Sequence, residues 1–193
     1  MSIAFENYLC SQTDLSETDI CRISALAIPR KLRRNEFLLR EGEVCRHKIF
    51  IVSGLLRSFG MTPDGSEHIL QFSPENTWTL DVESYDRQEP SHYNISTVEP
   101  SELLLWHKTD FERLLAEIPQ LKSFAGQLIS RNIYNSRQRL LTALSGTPEE
   151  KYEDFVKNSP GLLSRLPLRM IASYLGVSLK TLNRVRQAQL LRS

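Results

Sequence analysis

Membrane-length hydrophobic runs are absent from this chain of 193 residues. A helix crossing a bilayer needs about 20 consecutive apolar residues, and nothing approaches that. The opening stretch, Met1 to Asn7, also lacks the basic start and apolar core of a secretory signal, so a cytoplasmic protein with no membrane partner is expected. Cysteine is scarce: Cys10, Cys21 and Cys45 are odd in number and widely spaced, which suits reduced thiols better than a disulfide framework. Catalytic signatures are missing too. There is no Gly-rich phosphate loop, nucleophile elbow, His-Glu-x-x-His or Cys-x-x-Cys, and Asp81, Glu83 and Asp86 sit in a polar stretch where solvation explains them. The expectation is a protein that is not an enzyme.

What is present is a division of charge. The whole chain carries a formal net charge of +1, yet Lys151 to Ser193 hold eight Lys and Arg against two Asp and Glu, a local +6 that leaves −5 for the remainder. A basic C-terminal module on an acidic body is the pattern of a phosphate-binding head attached to something else.

The periodicity also changes along the chain. Glu6 to Leu26 reads as a short helical lead-in, with Ser16 supplying N-cap chemistry for Ile20, Ile23 and Leu26. Period-two segments then follow at Glu36–Gly42, Lys48–Gly54, Leu55–Met61 and His68–Phe72. Thr62-Pro-Asp-Gly65 makes a hairpin turn between the last two. Glu75 to Ser91 reads as a polar loop, and strand character resumes at Tyr93–Val98 and Glu102–Trp106. Such spacing predicts a roll or sandwich rather than alternating β and α units. Thr109-Asp-Phe-Glu112 is a capping-box sequence that should open a helix. Pro119 to Ala143 is the longest helical pattern, its broad apolar stripe (Leu121, Phe124, Leu128, Ile129, Ile133, Leu140, Leu141) wide enough to cover its own domain and meet a second copy. Gly146-Thr-Pro148 ends it.

Leu166 to Arg186 carries the strongest signal. Ala172, Gly176, Leu182 and Val185 stand where two steeply crossing helices need a small contact residue, a turn residue free to take positive φ, and two apolar anchors. Pro167 suits the first turn of the first helix, Ser178 suits the N-cap of the second, and Ile171, Leu175 and Val177 complete the core. The polar side chains of the second helix then stay outside. In a DNA major groove Arg184 would pair with guanine, Asn183 with adenine, and Lys180 with base or phosphate. Ser178, Thr181 and Arg169 suit phosphates, and Arg186 suits the backbone.

These two parts together resemble the Crp/Fnr family of bacterial regulators. Leu38-Leu-Arg-Glu-Gly-Glu-Val44, Ile49-Phe-Ile-Val-Ser-Gly-Leu-Leu-Arg57 and the turn at Asp64-Gly65 look like its cyclic-nucleotide-binding β-roll, with Gly42 and Gly54 as structural glycines. The run Ser178, Thr181, Arg184 is similar to the opening of its recognition helix. The resemblance implies an α+β fold. A double-stranded β-helix (jelly-roll-like) sensor domain would span 1–118, a long dimerisation helix 119–145, and a helix-turn-helix domain 146–193. The chain ends too soon after its last helix for the β-hairpin wing usual in relatives, so the expected fold lacks it.

The implied function is sequence-specific binding of double-stranded DNA by a homodimer that regulates transcription. The alternative is an effector-binding or protein-interaction module that has lost DNA binding. Family members that bind cyclic nucleotide use a Gly-Glu pair and an arginine. Here Pro74–Ser84 has no Gly-Glu, and His92 or Tyr93 falls where the arginine would be, which points to an unidentified small-molecule effector other than cyclic AMP. Three scattered cysteines do not build an iron–sulfur site, and the lone histidines 47, 68, 92 and 107 are read as ordinary polar residues, so neither cofactor nor metal is expected.

Overall fold

The structure, a computed structural model, describes residues 2–190. Two helices lead, α1 (Ile3–Gln12) and α2 (Glu17–Ala25). Ser16 caps α2 as its sequence predicts, its hydroxyl accepting the Asp19 amide at 3.1 Å. The strands that follow are β1 (Ile28–Leu32), β2 (Phe37–Leu39), β3 (His47–Ser53), β4 (Leu55–Met61), β5 (Glu67–Pro74), β6 (Thr77–Thr79), β7 (Asn94–Thr97) and β8 (Ser101–His107), with α3 (Val82–Arg87) between β6 and β7. They form two four-stranded sheets, ordered β1-β8-β3-β6 and β2-β7-β4-β5. This is the expected roll.

Alternation along β3 and β8 separates two cores. Ile49, Ile51, Leu103 and Leu105 join Leu32, Leu39, Leu56 and Ile95, which come from strands of both sheets, in one buried cluster. Phe50, Leu104 and Trp106 point the other way, where α1, α2 and α4 (Lys108–Glu117) cover them. Phe5 sits at the centre of that second cluster, its ring centroid 4.9 Å from Phe50 and 5.1 Å from Trp106. The buried Trp106 Nε1 donates to the Ile23 carbonyl at 2.8 Å, so the indole is satisfied as well as packed. Gly54 turns β3 into β4 at φ +98°, and a Cβ there would stand 2.6 Å from the Pro100 carbonyl. Only glycine fits.

The structure departs from the sequence reading in four places. The stretch from Glu75 to Ser91, read as loop, contains β6 and α3; its strand is three residues and its helix six, too short for periodicity to register. Strand β1 was missed because it lies at a sheet edge with only Leu32 buried. Thr109 does not cap α4. That helix follows β8 directly with His107 at the cap position and no side-chain cap bond, and Glu112 pairs with Lys108 at 2.9 Å instead. Finally, Gly146-Thr-Pro148 both ends one helix and starts another. Thr147 and Glu150 form a reciprocal capping box on α6 (Pro148–Asn158).

The chain divides into two compact units, Met1–Gly60 with Leu70–Leu128, and Met61–Ile69 with Ile129–Ser193. The long helix α5 (Pro119–Ser145) runs through the boundary between them at residue 128. The second unit also contains α6, a short 3-10 turn at Pro160–Leu162, α7 (Leu168–Leu175) and α8 (Leu179–Leu190). Its core is Tyr152, Phe155, Leu162, Leu166, Met170, Ile171, Ala172, Leu175, Leu182 and Val185, all buried. The expectation that the fold lacks a wing concerns the end of the chain after residue 190, which lies outside the described residues.

Candidate nucleic-acid interface

Helices α7 and α8 are joined by a turn that the sequence dictates. Gly176 takes φ +65°, and the Val177 amide returns to the Ala172 carbonyl at 3.0 Å, closing the end of α7. Ser178 then opens α8, its hydroxyl accepting the Thr181 amide at 3.0 Å and lying 2.8 Å from the Thr181 hydroxyl. Behind this turn Ala172 is 3% exposed, and Leu182 and Val185 are 1% exposed each. The small residue and the two anchors are therefore where their spacing placed them. Pro167 is one residue earlier than expected, at the N-cap of α7 rather than in its first turn.

With Leu182 and Val185 buried, the 3.6-residue period leaves Lys180, Asn183 and Arg184 exposed on the opposite side of α8. Ser178 and Arg169 are exposed as well, while Thr181 and Arg186 are half-buried. Helix α6 borders this face. Its Glu149 carboxylate stands 3.7 Å from the Arg184 guanidinium, both well exposed, and its Glu153 accepts from Gln189 Nε2 at 3.3 Å. An exposed pair at that distance contributes little, at most about 1 kcal/mol, so it leaves the Arg184 guanidinium available to another partner.

In the first unit Asp81 is buried, 8% exposed. It caps α3 by accepting the Ser84 amide at 3.2 Å and takes a 2.6 Å hydrogen bond from the Ser91 hydroxyl. Ser91 in turn accepts the Tyr93 amide at 3.0 Å. The His92 and Tyr93 side chains, expected at the arginine's position, are exposed. The buried Asp81 carboxylate is thus committed to partners of its own, the Ser91 hydroxyl and the Ser84 amide. The sequence reading took Asp81 for a solvated carboxylate; the structure buries it against Ser91, because only the fold brings these positions ten residues apart into contact.

The histidines separate in the same way. His47 and His107 meet across β3 and β8, whereas His92 is exposed on its loop. Among the described residues, no group of three or more His, Cys, Asp or Glu could hold a metal ion. Among the described residues, no helix is long and apolar enough to cross a membrane.

Residues 29–118 match the model of the cyclic nucleotide-binding domain. Beyond that stretch, the chain is 28% identical over 172 residues to the transcriptional activator protein FnrA of Stutzerimonas stutzeri, covering 81% of this chain and 68% of that protein. The chain is thus similar to transcriptional activators and carries a domain of the cyclic nucleotide-binding type. Solved structures agree on the family fold. FixK2 from Bradyrhizobium japonicum superposes with a TM-score of 0.76 at 17% identity, covering 86% of this chain and 85% of that one. A protein from Eubacterium rectale assigned to the Crp/Fnr transcriptional regulators gives 0.72 at 14%, covering 96% and 88%. The first unit is therefore a β-roll that matches the cyclic nucleotide-binding domain.

Proposed function

We propose that this protein is a homodimeric, sequence-specific DNA-binding transcription regulator of the cytoplasm. Residues 1–118 form its sensor domain, 119–145 its dimerisation helix and 146–193 its helix-turn-helix domain. Arg169, Ser178, Lys180, Thr181, Asn183, Arg184 and Arg186 make up the DNA-reading set. The carrying observation is the two-sidedness of α8: Leu182 and Val185 are sealed in the core while Lys180, Asn183 and Arg184 remain exposed. A helix built this way offers hydrogen-bond donors at the spacing of a major groove. The dimer reading is supported by α5, which leaves Ile129, Ile133, Tyr134, Leu140, Leu141 and Leu144 exposed, between 45% and 78% each. So long an apolar row is covered by a second copy more readily than by water. The Asp81–Ser91 pair supports an effector other than cyclic AMP.

Selection of preferred duplexes from a random pool, with and without cell metabolites, tests the whole reading. Two half-sites about one helical turn apart are expected. Arg184→Ala should weaken the selected site by about 1–3 kcal/mol and relax one base position, and Lys180→Ala should lower the salt slope by about one if it meets phosphate. Absence of duplex binding at low salt would instead favour an effector-binding or protein-interaction module.

A further inference from the structure

Helix α7 carries, in its last turn, a serine whose hydroxyl is bonded to a β-strand. Ser173 Oγ donates to the Glu67 carbonyl at 2.7 Å and accepts the Ile69 amide at 3.1 Å. Arg139 of α5 adds a third bond to the same stretch, Nη2 donating to the Ile69 carbonyl at 3.1 Å. The same nitrogen reaches the Tyr174 carbonyl at 3.3 Å, and the guanidinium lies over the Tyr174 ring at 3.9 Å. Tyr174 in turn packs against Phe155 of α6, ring centroids 5.5 Å apart. All of these residues belong to the second unit, which includes the hairpin tip Met61–Ile69.

Each bond answers a local need. Strand β5 ends its sheet, so the outer backbone groups of an edge strand look for partners, and side chains supply them at Glu67 and Ile69. The Tyr174 carbonyl lies in the last turn of α7, where carbonyls have no amide partner within the helix and a cation is favoured by the helix dipole. Burial of Arg139 disfavours its charged form, which makes the two carbonyls and the aromatic face the compensation for placing a guanidinium there.

We propose that Ser173 and Arg139 are positioning residues for DNA recognition: they clasp α7 to the hairpin tip and so pre-set the helix against which α8 is packed. The inference rests on the DNA-reading function proposed above. Neither residue faces DNA in that reading; they act through α7. An α7 freed from the tip would have to be ordered again on binding, at a loss of affinity.

The test uses the full chain, its selected duplex, and hydrogen exchange at the Ile69 amide. In Ser173→Ala that amide loses its acceptor and should exchange about tenfold faster, while Ser173→Thr, which keeps the hydroxyl, should restore protection. Duplex affinity should fall roughly three- to tenfold in Ser173→Ala and in Arg139→Gln and return in Ser173→Thr, with circular dichroism unchanged throughout. Faster exchange with unaltered or tighter DNA binding would overturn the positioning role. Unchanged exchange in Ser173→Ala would overturn the clasp itself. A wild-type chain that binds no duplex would remove the DNA reading and the positioning role together, and it is told apart because it precedes any substitution.

Discussion

His47 and His107 lie directly opposite each other on β3 and β8, their ring centroids 4.6 Å apart. Partial burial holds the His47 imidazole below its ordinary range. The positive charge that His107 acquires on protonation, together with Arg30 and Arg46, pushes in the same direction. In the unfolded chain His47 returns to an ordinary value near 6.5, so between the two the unfolded state binds the proton that the folded state resists. Stability from this group is thus fully present above about pH 6.5 and is lost as pH falls toward the folded value. Thermal unfolding should show a lower midpoint at about pH 5.5 than at about pH 7.5, and His47→Gln should flatten that part of the profile.

The buried Asp81 makes a prediction about ligands. Cyclic AMP and cyclic GMP at about 1 mM should leave the melting temperature unmoved, since a ligand that binds only the folded state would raise it. Asp81→Ala removes both the α3 cap and the acceptor for Ser91, and should destabilise the β-roll by about 1–3 kcal/mol in denaturant titration. A clear upward shift with either nucleotide would contradict the reading of this network.

For the dimer, Ile133 and Leu140 are the residues to charge, being exposed in the described chain at 45% and 58%. Ile133→Asp with Leu140→Asp should reduce the sedimenting mass to near the 22.2 kDa of one chain without altering the thermal midpoint of the β-roll. Wild-type protein that already sediments as a monomer would remove α5 as an interface.

Thiol chemistry should separate the three cysteines. Cys45 is 3% exposed, and burial pushes its thiol above the ordinary range, whereas Cys10 and Cys21 are exposed. The thiolate is the reactive form, so brief alkylation at neutral pH should label Cys10 and Cys21 and reach Cys45 only after unfolding.

Much of this molecule follows from local pattern. The turn at Gly176, the cap at Ser178 and the burial of Ala172, Leu182 and Val185 each depend on residues within one or two turns of helix, and each was readable along the chain. The same holds for the period-two strands and for the long helix of the Pro119 segment, whose structure extends only two residues past the expected end. Elements shorter than two full periods, such as β6 and α3, were too short for a pattern to repeat.

Contacts between distant positions were decided by the tertiary structure alone. Asp81 against Ser91, His47 against His107, and Ser173 against the backbone of Glu67 and Ile69 join residues ten to more than a hundred positions apart. A sequence records periodicity because neighbours on a helix or strand share one geometry. It records no distance between segments, and electrostatic and hydrogen-bond energies depend on that distance.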